Sequence, residues 1–360
     1  MSWIKRRETK TVWVGKVPIG SSHPIAVQSM TSTFTEDVPT TVAQIKELEK
    51  VGCEIVRVAV PSIDAAKALR KIKEKVNIPL IADIHFDYKL ALLSIEEGAD
   101  CIRINPGNIG ELWKVKEIVN LAGQKGISIR IGVNSGSLPK ELLKKYGYPV
   151  PKALAEAALN YMKLFEDWGF TNMKFSLKGS DVKTTVIANE LFAESSPYPL
   201  HIGITEAGTL LSGAVKSAVG IGILLYKGIG DTLRVSLTAN PKEEVKVAYK
   251  ILKALNLRER GVEVISCPTC GRCLVNVEEL AKEVEERLEH IKKPLKVAVM
   301  GCAVNGPGEA KFADVGIAGA GGYFILFVKG KVIGKLSQEE ALDRLVEEVE
   351  KLAGEEVGGV

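Results

Sequence analysis

The chain has 360 residues, of which 46% are hydrophobic and 26% charged, and its formal net charge is +4. This composition is typical of a packed globular protein and excludes a disordered or fibrous one. The charge is too mild for a general nucleic-acid binder, although it permits a small anionic ligand. Because 360 residues exceed one ordinary core, we expect two domains.

The first residues of the chain indicate where the protein resides. No apolar segment follows the basic run Lys5-Arg6-Arg7, so the pattern predicts neither a signal peptide nor a transit peptide, and we expect a cytoplasmic protein. The most apolar stretch, Thr209 to Tyr226, has helical spacing and is interrupted by Lys216. We interpret it as a buried helix and not as a membrane span.

A short hairpin is predicted between Thr11 and Pro24, and eight strand-helix units follow it. The predicted strands are Ile25–Met30, Ile55–Val60, Pro79–Ile84, Cys101–Pro106, Ile127–Val133, Asn172–Lys178, Leu200–Glu206 and Asp231–Thr238. Amphipathic helix patterns come after them, for example 41–51, 88–97, 153–168 and 242–257. Eight such units predict an α/β fold with an N-terminal TIM (β/α)8 barrel over residues 1–258. A doubly wound open sheet is the alternative, but no Gly-rich dinucleotide motif follows the first strand.

Residues 259–360 have a different rhythm and predict a smaller α+β domain. Its predicted strands are 262–266, 295–300, 313–318, 323–328 and 332–335, and its predicted helices are 277–290 and 338–352. This second domain also contains four of the six cysteines, which suggests an iron-sulfur domain.

Six basic residues interrupt the barrel strands: Arg57, Arg103, Arg130, Lys174, Lys178 and Arg234. Neither face of a barrel strand is open to bulk water, so buried charges there need partners. Ion pairs with Asp83, Glu206 and Asp231 are one explanation. Three acids do not neutralise six cations, and the surplus predicts a phosphate or diphosphate ligand at the carboxyl ends of the strands.

Other polar residues lie at predicted strand ends. Glu206 ends the seventh strand, where it is suited to proton transfer, although it is equally placed as a helix N-terminal acid. Asp83 and His85 are further catalytic candidates. The candidates for binding substrate oxygens are Asn105, Asn134, Ser176, His201 and Ser236. We interpret Cys53 and Cys101 as buried packing residues.

The clustered cysteines permit three interpretations. Cys267, Cys270 and Cys273 lie in one turn, and Cys302 stands alone without a nearby histidine, which disfavours zinc. Four cysteine ligands would make a closed 4Fe-4S cluster that only relays electrons. An oxygen ligand such as Glu309 would instead leave one iron labile enough to accept a substrate oxygen.

These motifs resemble the 4-hydroxy-3-methylbut-2-enyl diphosphate synthase (IspG/GcpE) family in its bacterial two-domain form, over nearly the whole chain. The segments that carry the resemblance are 27–31 (VQSMT), 82–86 (ADIHF), 103–108 (RINPGN), 130–137 (RIGVNSGS), 201–208 (HIGITEAG), 266–272 (SCPTCGR), 301–302 (GC) and 305–309 (NGPGE). Cys273 departs from the family pattern, and we predict that it is a bystander.

The resemblance implies a 4Fe-4S cluster held by Cys267, Cys270, Cys302 and Glu309. It implies reductive ring opening of 2-C-methyl-D-erythritol 2,4-cyclodiphosphate, a step of the methylerythritol phosphate route to isoprenoids. The diphosphate would lie among the barrel cations, Glu206 would supply a proton, and ferredoxin or flavodoxin would supply electrons.

The position of the domain link predicts a dimer. The last barrel helix returns the chain to the amino-terminal face, and the link 258–261 spans at most about 14 Å. The cluster therefore cannot easily reach its own barrel mouth, and we expect a head-to-tail homodimer, which the resemblance also implies. No nucleic-acid or membrane partner is expected. The alternatives are a pterin- or corrinoid-dependent methyltransferase barrel with an accessory cluster and a non-catalytic iron-sulfur electron carrier.

Overall fold

The structure, a computed structural model, describes residues 3–148, 150–179, 181–302 and 312–354. The chain folds into two compact units, Met1–Arg258 and Glu259–Val360. Each unit has its own hydrophobic core.

The first unit begins with an antiparallel hairpin, β1 (Val12–Val14) and β2 (Val17–Ile19), which confirms the predicted hairpin. Eight parallel strands follow: β3 (Ala26–Met30), β4 (Ile55–Ala59), β5 (Leu80–Asp83), β6 (Cys101–Ile104), β7 (Ser128–Asn134), β8 (Met173–Lys178), β9 (His201–Ile202) and β10 (Thr232–Leu233). Their order is β8-β7-β6-β5-β4-β3-β10-β9. A parallel bridge between Phe175 and Leu200 brings β8 next to β9, so the sheet is a nearly closed barrel. The predicted TIM barrel is confirmed.

Ten helices of the described chain surround this sheet: α1 (Val38–Lys50), α2 (Ile63–Lys73), α3 (Tyr88–Glu96), α4 (Pro106–Ile109), α5 (Leu112–Lys125), α6 (Lys140–Tyr146), α7 (Pro151–Asp167), α8 (Val182–Ser195), α9 (Leu210–Tyr226) and α10 (Pro241–Ala254). Several begin where the sequence supplies a capping side chain. Asp37, Ser62 and Asp181 each accept a hydrogen bond from a backbone N–H in the first turn of the following helix. Helix α5 ends at Gly126, which has the left-handed backbone that glycine tolerates best.

Strand periodicity separates the two faces of the barrel. On β4, Val56 and Val58 point outward into the apolar layer under the helices, whereas Ile55 and Arg57 alternate with them and face the lumen. The amino-terminal end of the lumen is apolar. There the hairpin residues Val14 and Ile19 pack against the first lumenal layer, which consists of Ala26, Ile55, Ile81 and Cys101.

Strands β9 and β10 are much shorter than predicted. The sequence predicts strands to Glu206 and Thr238, but the ladder ends at Ile202 and Leu233. Glu206 has φ +53°, a left-handed conformation that an extended strand cannot contain. The backbone N–H of Leu237 donates to the Glu244 carboxylate instead of to a neighbouring strand.

Helix α9 confirms the predicted helix at Thr209 to Tyr226 but corrects its burial. The first part of the buried face is made of small residues, because a Cβ on Gly213 or Gly220 would lie 2.5 Å from a barrel side chain, and Ile221, Leu224 and Leu225 complete that face. On the opposite face Leu211, Val215 and Val219, at a spacing of four residues, are exposed. Within the described ranges no helix combines the length and apolarity that crossing a membrane requires.

The second unit is α+β, as predicted. Its strands are β11 (Val262–Ser266), β12 (Leu295–Met300), β13 (Val315–Gly319), β14 (Phe324–Val328) and β15 (Lys331–Leu336), and its helices are α11 (Val277–Arg287) and α12 (Gln338–Gly354). The strands pair in chain order, with β11, β12 and β13 parallel and β13, β14 and β15 antiparallel. Residues of both helices, such as Val284 and Leu345, share a core with one face of this sheet.

Candidate active site

The six predicted cations all take lumenal positions in the barrel. Arg57, Arg103, Arg130, Lys174 and Lys178 are each less than one tenth exposed, and Arg234 is partly buried. They come from β4, β6, β7, β8 and the residue after β10, and alternation along each strand directs them inward. The structure therefore gathers the cations as the sequence predicts.

Asp83, at the end of β5, is shared between two of these cations. Its carboxylate lies 3.1 Å from Arg103 Nη1 and 3.5 Å from Arg57 Nε. Burial alone would raise the pKa of Asp83, but the charges of Arg57, Arg103 and Arg130 outweigh it and lower the pKa to about 2. The predicted partner His85 is half exposed, with Nε2 3.7 Å from the same carboxylate. Asp83 is therefore ionised and fixes two guanidinium groups.

Gly132 makes room for one of these guanidinium groups. A Cβ at this position would lie 2.8 Å from Arg103 Nη2 and 2.9 Å from Arg103 Nε. An alanine there would displace the arginine, so the glycine is part of the site.

The second carboxylate of the site is Glu244, which the sequence analysis did not identify. It is only 3% exposed, lies in the first turn of α10, and accepts two hydrogen bonds from Arg234 at 3.0 and 3.1 Å. Its signal in the sequence was an acid on the apolar face of an amphipathic helix, one turn before Ala248.

Two of the three predicted counter-charges are wrong. Asp231 pairs with Arg6 at 2.7 Å and accepts the backbone N–H of Leu200, near the starts of the strands. Glu206 is exposed, and its carbonyl accepts a hydrogen bond from Lys216 Nζ. The left-handed turn at Glu206 explains this placement, because it takes the side chain out of the strand alternation. Of the carboxylates in the described chain, Asp83 and Glu244 are those paired with the six cations.

Several buried donors of the lumen have no hydrogen-bond partner among the described residues. They are Arg103 Nε, Arg130 Nε and Nη1 and the amide nitrogen of Gln28, and the ring nitrogen Nε2 of His201 is likewise without a partner. Burial first, and then the neighbouring cations, lower the pKa of Arg130, Lys178 and His201 well below their usual values. Buried donors normally have acceptors. The lumen is therefore built to receive an anionic, oxygen-rich ligand.

Lys174 lies deeper than the other cations. Its ammonium is 3.4 Å from the thiol of Cys101, which belongs to the apolar layer that the hairpin covers. Cys101 and Cys53 are buried, as predicted, and burial raises the pKa of Cys53 to about 12.

The remaining predicted residues are placed less uniformly. Asn105 is buried, but its side chain caps α4 by accepting Gly107 N–H and donates to Ser137 Oγ. Ser176 is buried in the lumen, and His201 Nδ1 is 3.5 Å from the hydroxyl of Thr232. Asn134 is the last residue of β7, Ser236 lies three residues beyond β10, and both are partly buried. The structure thus brings Ser176 and His201 to the cations and gives Asn105 a local structural role.

The cysteines of the second unit lie at the carboxyl ends of two adjacent parallel strands. Cys267 directly follows β11, and Cys302 follows β12 and is buried. Gly301 N–H donates to Cys267 Sγ at 3.2 Å. A Cβ on Gly301 would overlap Cys273 Sγ and lie 3.5 Å from Cys267 Sγ. The thiols of Cys267 and Cys273 therefore meet beside the residue that precedes Cys302.

Cys270 is exposed on the same turn. A hydrogen bond from the Arg272 backbone is the main cause that lowers the pKa of its thiol. Glu309, the predicted oxygen ligand, lies outside the described residues. Within those residues no group of three or more Cys, His, Asp or Glu side chains is gathered closely enough to hold a metal ion. Soft sulfur donors on two neighbouring loops, one of them accepting a backbone N–H, nevertheless fit an iron-sulfur cluster.

Two family models match the chain, and together they cover both units. The GcpE TIM-barrel domain matches residues 9–249, and the GcpE protein C-terminal domain matches residues 263–351. The chain is also similar to proteins named 4-hydroxy-3-methylbut-2-en-1-yl diphosphate synthase (flavodoxin). The relative from Thermodesulfovibrio yellowstonii is 56% identical, with 97% of this chain and 100% of the relative aligned. The relative from Caldanaerobacter subterraneus subsp. tengcongensis is 57% identical, with 98% and 99% aligned.

Among solved structures, the barrel is similar to the Yersinia pestis dihydropteroate synthase in its complex with a sulfonamide drug. The TM-score is 0.50 at 11% identity, over 69% of this chain and 100% of the other. At this identity the likeness shows the barrel fold alone.

Proposed function

Because this chain belongs to the GcpE family across both of its units, we infer that it catalyses the reaction for which its relatives are named. The family predicted from the sequence motifs is confirmed. The enzyme is an oxidoreductase that forms 4-hydroxy-3-methylbut-2-en-1-yl diphosphate by reductive ring opening of 2-C-methyl-D-erythritol 2,4-cyclodiphosphate. The observation that carries this function is the buried group of lumenal cations, whose unpaired donors match a diphosphate.

In this proposal the first unit binds the substrate. Arg57, Arg103, Arg130, Lys178 and Arg234 bind the diphosphate oxygens, which replace the missing hydrogen-bond acceptors of the lumen. Lys174 adds positive charge from deeper in the lumen, next to the apolar layer. The candidates for the hydroxyl groups are His201, Asn134, Ser176, Ser236 and Asn105. Because buried charges interact strongly, the lumen orients the substrate before chemistry begins.

Proton transfer is assigned to residues at the barrel mouth. The Glu206 carboxyl group donates the proton with which the leaving hydroxyl departs as water. Asp83 remains ionised and holds Arg57 and Arg103 in place, and His85 Nε2 lies 3.7 Å from its carboxylate. Because Glu206 is exposed, this role requires a cap that excludes water from the mouth during the reaction.

We assign the electron chemistry to the second unit. Cys267, Cys270, Cys302 and Glu309 would hold a 4Fe-4S cluster, which supplies the two electrons of the reduction one at a time. Flavodoxin, which the relatives' names contain, is the proposed donor, and ferredoxin is the alternative. Cys273 stays a predicted bystander.

The ligand assignment has a direct test. Cys273→Ser should retain four irons per chain after anaerobic reconstitution, whereas Glu309→Ala should lose the site-specific iron, as measured by iron analysis and electron paramagnetic resonance. Loss of the cluster in Cys273→Ser together with an intact cluster in Glu309→Ala would assign Cys273 as the fourth ligand.

The assembly and location are proposals as well. A head-to-tail homodimer would let each cluster unit serve the partner's barrel. Support comes from Arg258, the last residue of the first unit, which binds Ile25 O and Glu54 before strands β3 and β4 and so lies at the amino-terminal face. Four free thiols on the second unit suit a reducing cytoplasm. No nucleic acid and no membrane takes part.

The alternative functions explain less of the molecule. The barrel likeness to dihydropteroate synthase supports neither pterin nor corrinoid chemistry, because it shows only a shared fold. An electron carrier would leave the lumenal cations without a purpose.

The decisive experiment is anaerobic. The protein is reconstituted with iron and sulfide, and reduction of the cyclodiphosphate is followed with dithionite or reduced flavodoxin as donor. We expect formation of the linear diphosphate. No turnover by protein with a verified cluster would reject the proposed function.

A further inference from the structure

Glu244 is a buried carboxylate that belongs to a helix and yet reaches the wall of the lumen. It accepts four hydrogen bonds from three residues, which belong to β3 and to the segment after β10. Arg234 Nη2 and Leu237 N–H donate to Oε1 at 3.0 and 3.1 Å. Arg234 Nε and Ser29 Oγ donate to Oε2 at 3.1 and 2.9 Å. All of its principal acceptor capacity is therefore used inside the protein.

The contact with Arg234 fixes the plane of the guanidinium group. Two parallel N–H···O bonds form the bidentate pairing that gives arginine a defined orientation. Nη1 takes no part in this pair and lies 3.7 Å from Met30 Sδ. Arg57 contacts the same sulfur from Nε and Nη2 at 3.1 and 3.0 Å. Glu244 thus places Arg234 next to Arg57, with one thioether, a weak acceptor, between the two cations.

The bond to Leu237 acts on the backbone of the same segment. Strand β10 ends at Leu233, the Arg234 N–H still donates to Ile202 O at 3.0 Å, and the Glu244 carboxylate binds the backbone three residues further on, at Leu237. This segment carries Ser236 as well as Arg234. Glu244 therefore binds both ends of a short segment that carries two candidate substrate-binding residues.

We propose that Glu244 is a positioning residue of the anion site, which aims Arg234 and the 234–237 segment at a diphosphate group without touching it. This inference rests on the proposed function, since it assumes that the lumen binds a diphosphate. The negative charge of Glu244 by itself would oppose anion binding. If Glu244 acts by positioning, removing its charge should weaken diphosphate binding, whereas if it acts only through its charge, the same change should strengthen binding.

The test measures binding of inorganic diphosphate to the full-length protein by calorimetry. In Glu244→Gln an amide NH₂ replaces one acceptor and must face a donor of Arg234, Ser29 or Leu237, so the guanidinium turns away. We expect binding to weaken about tenfold to a hundredfold, the range for one hydrogen bond to a charged group. Glu243→Gln makes the same charge change one residue earlier, where the side chain pairs with Lys246, and should leave the affinity unchanged.

The Arg234→Gln background separates the two effects. Without the arginine, only the bond to Leu237 remains to be lost from the 234–237 segment, and Glu244→Gln should then weaken diphosphate affinity much less than it does in the unaltered protein. Stronger binding of Glu244→Gln in both backgrounds would show that the carboxylate acts only through its charge and would overturn the proposal.

Two further measurements distinguish positioning of Arg234 from a general role of Glu244 in folding. Circular dichroism and thermal unfolding establish that Glu244→Gln is folded, and Glu244→Asp, which keeps the charge, should recover part of the affinity. Equal affinity of the folded Glu244→Gln variant and the unaltered protein would also reject the inference. Failure of the unaltered protein to bind diphosphate would instead count against the proposed function.

Discussion

Asp83 is a carboxylate whose ionisation depends on the folded state. Its pKa falls from an ordinary value of 3.8 to about 2 because Arg57, Arg103 and Arg130 outweigh the effect of burial. An acid whose pKa is lower in the folded than in the unfolded state stabilises the fold, and this contribution is fully present at pH values above the unfolded-state pKa. That stability is lost as the pH falls through the folded value.

The first prediction follows from this linkage. The free energy of unfolding of the unaltered protein, relative to Asp83→Asn, should fall by about 2 kcal/mol between pH 5 and pH 2, because the variant has no carboxylate to protonate. Urea unfolding at several pH values measures this difference. Asp64→Asn, at an exposed position, is the control. A difference that stays constant with pH would contradict the prediction.

The second prediction concerns Lys178. Burial and four neighbouring arginines lower its pKa well below 10.5, and an anion beside it would raise that pKa again. Diphosphate binding near pH 8 should therefore take up protons, and Lys178→Met should take up fewer. Calorimetry in buffers of different ionisation enthalpy counts these protons. Lys183→Met is the matched control on an exposed helix face, and equal uptake in all three proteins would reject the assignment.

Individual residues differ in how far the sequence could place them. The cations of β4, β6, β7 and β8 were predictable because strand alternation is strict and a charge on an inner face is conspicuous. Glu244 was not, since its partner Arg234 lies in another element and only the fold joins them. Glu206 was misplaced because nothing in its own residue type indicates a positive φ.

At the scale of elements, local sequence determined most boundaries within a few residues. Strands β11 and β12 begin and end where predicted, and capping side chains mark the starts of α1, α2 and α8. The ends of β9 and β10 could not be predicted, because they depend on contacts with Glu244 and on the turn at Glu206. The exposure of one face of α9 was missed for a similar reason. In a helix that is apolar all round, the sequence does not show which face packs against the barrel.

The loop after β12 gives the third prediction. A Cβ on Gly301 would overlap Cys273 Sγ and lie 2.8 Å from Val277 Cγ2. Gly301→Ala should therefore destabilise the protein by about 1–3 kcal/mol, the usual cost of overpacking, and should lower the iron content after reconstitution. Thermal unfolding and iron analysis measure the two effects.

Matched variants test the cause of that loss. Adding Cys273→Ala to Gly301→Ala removes the overlapping sulfur and should restore part of the stability. Gly271→Ala lies in the same cysteine turn with open space around its Cβ and should change neither quantity. Full iron content and an unchanged unfolding temperature in Gly301→Ala would contradict the described packing of the thiols.

At the scale of the whole molecule, the proposed reaction needs both units. The cations proposed to bind the substrate belong to the first unit and the thiols to the second. Composition and the eight-unit rhythm predicted this division of chemistry. Single-chain sequence patterns cannot reveal which copy supplies each half, because that depends on surfaces that meet only after folding.

The fourth prediction tests the shared site. Glu206→Ala and Cys302→Ala should each be inactive, because one lacks the proposed proton donor and the other a proposed cluster ligand. Verified heterodimers of the two should recover about half of the unaltered activity or less, since one of two hybrid sites contains both functional halves. Activity no greater than that of the separate variants would exclude a site formed between subunits.

The hairpin β1–β2 has a consequence for the order of events in turnover. Val14 and Ile19 close one end of the barrel by packing against an apolar layer, so the lumen opens at the carboxyl ends of the strands and is closed at the opposite end. Substrate and product must pass through the same opening. Product therefore has to leave before the next substrate can bind. Any segment that covers the opening controls the rate of this exchange as well as the exclusion of water from the lumen.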